Sequence, residues 1–371
     1  MYFQIIDNNQ KCKKMYASGK IVDYLEDSSL TKTWKHSVHL SSRSNIEYAY
    51  LYSSGKYENA CPKFLLDRWN LIYGRMASIM KSVNKAHCDV ENTCIYDYVP
   101  EVFLSEYLYI KSLIIENTFQ NIEKPKHYDI LKKAHILTEE MNSKLNFYED
   151  KLARTNYNIF GTKTGRLSNA KAGIPILTMK REQRVNLKPT NDLFVELDFN
   201  AAELRTLLAL CDRPQPQDDI HEWNMQHSSV SITREEMKKR TFAWLYNPAA
   251  RDSLLESLYD RDLIKDAYSY SGGVKTPFFR EIETDERRSL NYIVQSTSSD
   301  ICIEQSFKLR NFFRNRKTKV CYLLHDSVIL DFDKNDIELF LEAKQIFGET
   351  RFGNYLVNSS IGKNFGEMRT I

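Results

Sequence analysis

The chain has 371 residues, 52 Lys plus Arg against 49 Asp plus Glu, and 42% hydrophobic residues. That is apolar material for two or three cores at about 100–200 residues per domain, and it excludes a disordered tail protein. A formal net charge of +3 excludes a histone-like polycation, so any contact with nucleic acid must come from locally clustered charge.

At the N-terminus no basic leader precedes an apolar block, and no apolar run approaches the ~18 residues of a membrane span. The expectation is a soluble, cytoplasmic protein without membrane contact. Residues 1–56 read as a β-containing lobe, because short alternating apolar stretches are broken by Asn-Asn, Ser-Gly and Ser-Ser. From Pro62 to Asn156 the periodicity is helical, carried first by Phe64, Leu65, Trp69, Leu71 and Ile72, then by Ile130, Leu131, Ile136, Leu137, Met141 and Leu145. Residues 123–188 hold 14 Lys/Arg against 7 Asp/Glu, a local excess that suits either a solvated helical surface or a phosphate-binding strip.

Residues 193–198 then alternate like a strand and run into a helix over 201–211. After the Pro-rich loop 212–218, a helix spans 233–246, with Thr233 as N-cap, Glu236 three residues later and Pro248 as the stop. Another helix covers 286–309. Residues 320–332 read as two strands joined by a tight His-Asp-Ser turn, followed by a helix over 335–347. Seven cysteines (Cys12, Cys61, Cys88, Cys94, Cys211, Cys302 and Cys321) show no C-x-x-C pair and no metal-type spacing, and read as reduced thiols. The 22 Tyr and 19 Phe suit a core and base stacking equally.

Two features carry chemistry. Asp198 and Asp326 end strongly apolar strands that would hold them rigidly. Singly each is an ordinary strand-end carboxylate, but together they fit a two-metal site for phosphoryl or nucleotidyl transfer. In the helix over 233–246, Arg234, Lys238, Phe242 and Tyr246 recur every four residues, and a drift of only about 40° per step puts them on one stripe. Two cations followed by two aromatics make a poor core face.

These residues resemble the family A (polymerase I-like) DNA polymerases in six blocks, in order, between Gly161 and Phe332. Thr164-Gly-Arg166-Leu-Ser168 is similar to a block whose arginine contacts the primer-template minor groove. Asp198-Phe-Asn-Ala-Ala-Glu203-Leu-Arg205 resembles the first catalytic motif, with its metal-binding aspartate and the glutamate that excludes ribonucleotides. Asp219-Ile-His221 resembles a segment whose histidine touches the triphosphate, and the Arg234–Tyr246 stripe the fingers helix that grips the nucleotide. Glu286-Arg287-x-x-x-Asn291-x-x-x-Gln295, followed by Ser-Thr-Ser-Ser-Asp300-Ile, is similar to the block that lines template and primer. His325-Asp326 resembles the last motif.

The resemblance implies an α+β right-hand fold with an antiparallel palm sheet, helical fingers and a helical thumb. The implied division is a lobe at 1–56, a thumb-like region at 57–156, palm at 157–212 and 272–371, and shortened fingers at 213–271. It implies a DNA-directed DNA polymerase with Asp198, Asp326 and Lys238 as catalytic residues. Glu203, His221, Arg234, Lys238, Phe242 and Tyr246 bind the nucleotide, and Arg166, Arg287, Asn291, Gln295 and His325 bind DNA. Asp198, the Phe199 backbone carbonyl and Asp326 hold two Mg²⁺, with Mn²⁺ as a substitute. Implied partners are primer-template DNA and dNTPs, with a separate exonuclease, processivity or helicase/primase protein, since the roughly 160 residues before the first block leave too little chain for a proofreading nuclease.

Three positions depart from the pattern: Ser327 stands where a second carboxylate is usual, Asn247 replaces a glycine and keeps tolerance for positive φ, and Ser296 replaces another glycine. Ser327, Asn247 and the short fingers motivate an alternative, a catalytically silent DNA-binding or scaffold subunit. A single-subunit RNA polymerase or primase is a second alternative, against which Glu203 argues.

Overall fold

The computed structural model describes residues 2–6, 14–25, 29–35, 38–40, 46–89, 93–148, 151–171 and 173–371. The chain divides into two units, Met1–Ser143 and Lys144–Ile371. In the first, Phe3–Ile5, Met15–Ala17 and Lys20–Val22 form an antiparallel sheet, and helices follow at Lys63–Lys85, Glu101–Asn121 and Tyr128–Ser143. Pro62 and Pro100 stand just before the first two, where a fixed φ and a missing N–H cost a helix nothing. Trp69, Ile72 and Met76 share one face at three- and four-residue spacing and join Phe103, Tyr107, Ile110 and Ile114 in one core. Trp34 stacks on Tyr57 at 3.7 Å, so part of the aromatic load is core.

Helical periodicity expected to reach Asn156 stops at Ser143. Leu145–Tyr148 and Lys151–Arg154 pair as an antiparallel hairpin, with Asn146 buried and Leu152 exposed, so cross-strand pairing and not an apolar helical face sets the local structure. Cys61, Cys88, Cys211, Cys302 and Cys321 are free thiols. Cys94 is disulfide-bonded, which corrects the expectation of reduced thiols, since linear spacing says nothing of pairing between distant positions. Cys12 lies outside the described residues.

The second unit is built on a five-stranded sheet that carries β1 (Leu193–Phe199) at its centre. Along the chain follow α1 (Ala202–Leu210), α2 (Ile220–Gln226), α3 (Arg234–Tyr246), α4 (Glu286–Phe312), β2 (Lys319–Leu323), β3 (Ser327–Phe332), α5 (Phe340–Gly348), β4 (Val357–Gly362) and β5 (Arg369–Thr370). Strand order is β2-β3-β1-β4-β5, antiparallel throughout. Asp198 lies opposite Ser327 on one side and Asn358 on the other. Phe199 stacks on Phe347 of α5 at 4.2 Å, which pins the end of β1 to the helix layer. Leu204, Leu207 and Leu208 of α1 pack with Trp244 and Leu245 of α3 and with Leu290, Ile293 and Val294 of α4 in a second core. The class is α+β. Among the described residues no helix is long and apolar enough to cross a membrane.

Candidate active site

Two strand ends meet. The backbone N–H of Phe199 donates to the Asp326 carbonyl at 3.2 Å, and that of Leu324 to the Ser327 carbonyl at 2.9 Å, so the His325-Asp326 turn is closed and clipped to the end of β1. Both carboxylates are half-buried. Burial, then the charges of Asp326 and Glu196, push the Asp198 carboxyl up to about 8, against a hydrogen bond with Asn358. Burial also raises Asp326, with His325 and Arg166 opposing. Two oxygen donors in an environment that resists their negative charge form an electrostatic sink for a cation. Among the described residues no group of three His, Cys, Asp or Glu side chains gathers tightly enough to hold a metal.

Glu203, in the first turn of α1, joins Arg166 to the stripe of α3. One of its oxygens accepts from Arg166 Nη2 at 2.5 Å and the other from the Tyr246 hydroxyl. Burial first, then the neighbouring Glu203, drives the Tyr246 phenol upward, which keeps it a donor. Phe242 lies parallel to Tyr246 at 5.8 Å, with planes 8° apart, and 5.9 Å from the His221 ring. His325 keeps part of its surface open to solvent, and partial desolvation of its ring, with nearby Arg166, lowers its pKa. Arg166 Nε and His221 Nδ1 are buried without a hydrogen-bond partner.

Thr233 caps α3 in a reciprocal box with Glu236, the arrangement its sequence predicts. Lys238 projects from α3 into solvent and acts on the buried His221 imidazole, whose pKa is lowered by burial and by Arg234 and Lys238. Arg234 is not free: its Nη2 and Nε donate to Asp219 at 2.6 and 3.2 Å. Although burial pushes the Asp219 carboxyl up, hydrogen bonds from Arg234 and Asn200 hold it well below the usual carboxylate range.

The scaffold behind this pair escaped the sequence reading. Arg205 has no exposed surface. Its guanidinium donates to the carbonyls of Asn200, Pro216 and Asp218, each at 2.8 Å, and to Asn200 Oδ1 at 3.1 Å. Asn200 Nδ2 in turn donates to Asp219 at 2.7 Å, and Asp219 accepts from the His221 and Glu222 N–H groups to cap α2. One buried fork therefore locates the loop, α2 and the partner of Arg234. An arginine within the apolar run 204–208 was the available signal.

Arg287, Asn291 and Gln295 lie along α4, the first exposed and the other two half-buried, with Gln295 Nε2 3.5 Å from Asn291 Oδ1. Among the described residues no hydrogen bond or ion pair joins them to the carboxylate cluster. Asn247 has φ −107, so the positive φ expected there is not used: an extended C-cap ends α3 ahead of Pro248. The Ser327 hydroxyl, where a carboxylate was expected, donates to Glu196 at 3.1 Å, and Ser360 holds the other Glu196 oxygen at 2.9 Å. Glu196 shares a face of β1 with Asp198 by period two, so a second carboxylate does approach the cluster, from β1 instead of β3.

No protein-family model matches the chain. A DNA polymerase of Bacillus phage SP01 is 23% identical over 320 residues, covering 64% of this chain and 34% of that protein, so the chain spans about a third of its length. Among solved structures, the POL domain of Pol1 from M. smegmatis, in complex with DNA primer-template and dNTP, is similar with a TM-score of 0.49 and 13% identity over 73% of this chain and 55% of that one. The ordered motifs resemble those of family A DNA polymerases, and the phage relative is a protein named DNA polymerase.

Proposed function

We propose that the chain is a template-directed DNA polymerase that adds deoxynucleotides to a primer 3′ end by nucleotidyl transfer. The observation that carries this reading is the convergence of Asp198 and Asp326 at one end of an antiparallel sheet, with Glu203 linking that end to the stripe of α3. Similarity to a protein named a DNA polymerase supports it.

The donor set fits hard divalent cations, because two half-buried carboxylates, Asp326 opposing the charge of Asp198, are relieved by Mg²⁺ or Mn²⁺. Asp198, Asp326 and the Phe199 carbonyl would hold two ions, which when bound activate the primer hydroxyl and stabilise charge on the leaving phosphate.

The remaining work belongs to side chains. Lys238 and Arg234 neutralise the triphosphate as point charge and fork, and Arg234 exchanges Asp219 for phosphate as it does so. Phe242 and Tyr246 present flat faces on which an incoming base stacks without base-specific contacts. Glu203 closes the space beside the sugar against a 2′-hydroxyl. Arg166, Arg287, Asn291, Gln295 and His325 reach acceptors that every base pair presents in similar places in the minor groove. Residues 1–371 themselves carry no proofreading step in this reading, and an exonuclease, processivity or helicase/primase protein is a further partner.

Primer extension with Mg²⁺ and all four dNTPs tests the reading. Extension by the parent, its loss in Asp326→Asn and ribonucleotide use gained by Glu203→Ala are the expected results. Tight primer-template binding without extension points to a silent DNA-binding subunit, the reading that Ser327 favours. Equal use of ribonucleotides by the parent points to an RNA polymerase, and shortening of a mismatched primer shows that residues 1–371 do proofread.

A further inference from the structure

Arg280 and Asp300 form an ion pair that none of the motifs explains. Arg280 is 7% exposed and Asp300 not at all. The fork is bidentate, with Nε to Oδ2 at 2.7 Å and Nη2 to Oδ1 at 2.8 Å. Such a pair is weak evidence of stability, because its desolvation offsets its attraction. Its surroundings suggest another use.

Arg280 stands at the end of a closed turn between Gly273–Lys275 and Glu281–Glu283. Its N–H donates to Thr276 Oγ1 at 3.2 Å, and its carbonyl accepts from the Thr276 N–H at 2.9 Å. The guanidinium lies directly beneath Gly165: a Cβ there would sit 2.5 Å from Arg280 Cζ and 2.8 Å from its Nε and Nη1. Gly165 also has φ +76, so the loop needs glycine both for its backbone and for the close approach. The same loop is closed by Thr162 Oγ1 donating to the Arg166 carbonyl at 2.8 Å. Its next residue, Arg166, reaches Glu203. Asp300 is on α4, five residues beyond Gln295, and points inward while Arg287, Asn291 and Gln295 lie on the more accessible side.

We propose that Arg280 is a positioning residue: its fork to Asp300 fixes the loop 162–168, and with it Arg166, relative to the donor stripe of α4. Two parallel hydrogen bonds fix a guanidinium in its plane as one ammonium cannot, and the flat group is the floor on which Gly165 rests. The claim rests on the polymerase reading for what Arg166 and α4 grip, namely a duplex minor groove. The mechanical part stands without it.

The test uses the full chain and three variants: Arg280→Lys, which keeps charge without the fork; Arg280→Met with Asp300→Leu, which replaces the pair by apolar groups; and Lys265→Ala as a remote control. Thermal midpoint, hydrogen exchange at 162–168, primer-template affinity and the KM for dNTP are read together. The apolar double variant should keep its midpoint, exchange faster at 162–168 and bind primer-template about tenfold more weakly, with little change in KM for dNTP. Arg280→Lys should show the same local exchange, which keeps the test open if the double variant does not fold. Parent-like exchange and primer-template affinity in a folded variant overturn the proposal. If the parent itself fails to bind primer-template, the polymerase reading falls, while exchange at 162–168 still decides whether Arg280 positions the loop.

Discussion

Arg205 in the second unit and Lys111 in the first are both buried cations, and the two are treated in opposite ways. Arg205 in the second unit meets three backbone carbonyls and an amide oxygen, and its pKa falls only to about 10, through burial. Lys111 in the first lies against the faces of Tyr57 and Tyr107, at 5.5 and 5.9 Å, and burial, aided by Lys35, drives it down to about 7. The forked cation keeps its charge and uses it to arrange a loop and a helix around the candidate site. The point charge, which meets ring faces instead of acceptors among the described residues, holds its proton far more weakly. Burial of charge organises structure only where the acceptors come with it.

The sharpest way to break this contrast is Arg205→Leu. Removing the fork takes the donor from three backbone carbonyls, while Asn200 Oδ1 keeps the Ile220 N–H, so the loss should be about 3 kcal/mol in urea denaturation, with nucleotide binding lost alongside because α2 and Asp219 lose their seat. A stable Arg205→Leu protein would show that those acceptors are met in another way.

Lys111→Met should act in the opposite sense and stabilise the protein at pH 7, by on the order of a few kcal/mol. Here the folded pKa lies below the unfolded one. Between pH 7 and pH 10.5 the unfolded chain holds a proton that the folded chain has lost, so the parent gains stability as pH rises through that window. The variant should lack that component of the slope, and urea midpoints at pH 7 and pH 10 measure the difference.

Smaller still is Asp219→Asn, at about 1 kcal/mol near neutral pH because Arg234 is partly solvated. The folded Asp219 carboxyl is depressed, so its contribution is present above the unfolded pKa and disappears as pH falls through the folded value. Parent and variant should therefore converge in acid. Thr233→Ala should cost about 1 kcal/mol through the lost cap and leave Arg205 and its loop untouched, which separates local helix stability from the buried fork.

Much of the second unit was legible in the linear chain. The strand ending at Asp198, the capped helix 234–246, the long helix from Glu286 and the His-Asp turn follow from periodicity, capping chemistry and turn residues, which act over a few neighbours. The hairpin Leu145–Tyr148/Lys151–Arg154 was misread because a short apolar run satisfies both periods. Asn247 tolerates a positive φ but takes φ −107, because tolerance does not require use. Glu203 was read as a gate, but its grip on both Arg166 and Tyr246 was not, since three residues from three segments meet only after folding.

The order of the chemical groups along the chain, their residue types and the local elements that carry them belong to the sequence, because backbone propensity and side-chain periodicity are short-range. Tertiary structure alone decided that Arg234 pairs with Asp219, that Ser327 turns to Glu196, that Arg205 and Lys111 meet different fates and that Arg280 lies under Gly165. Each depends on which acceptors and charges are brought together in a low-dielectric interior, and no spacing along the chain encodes that.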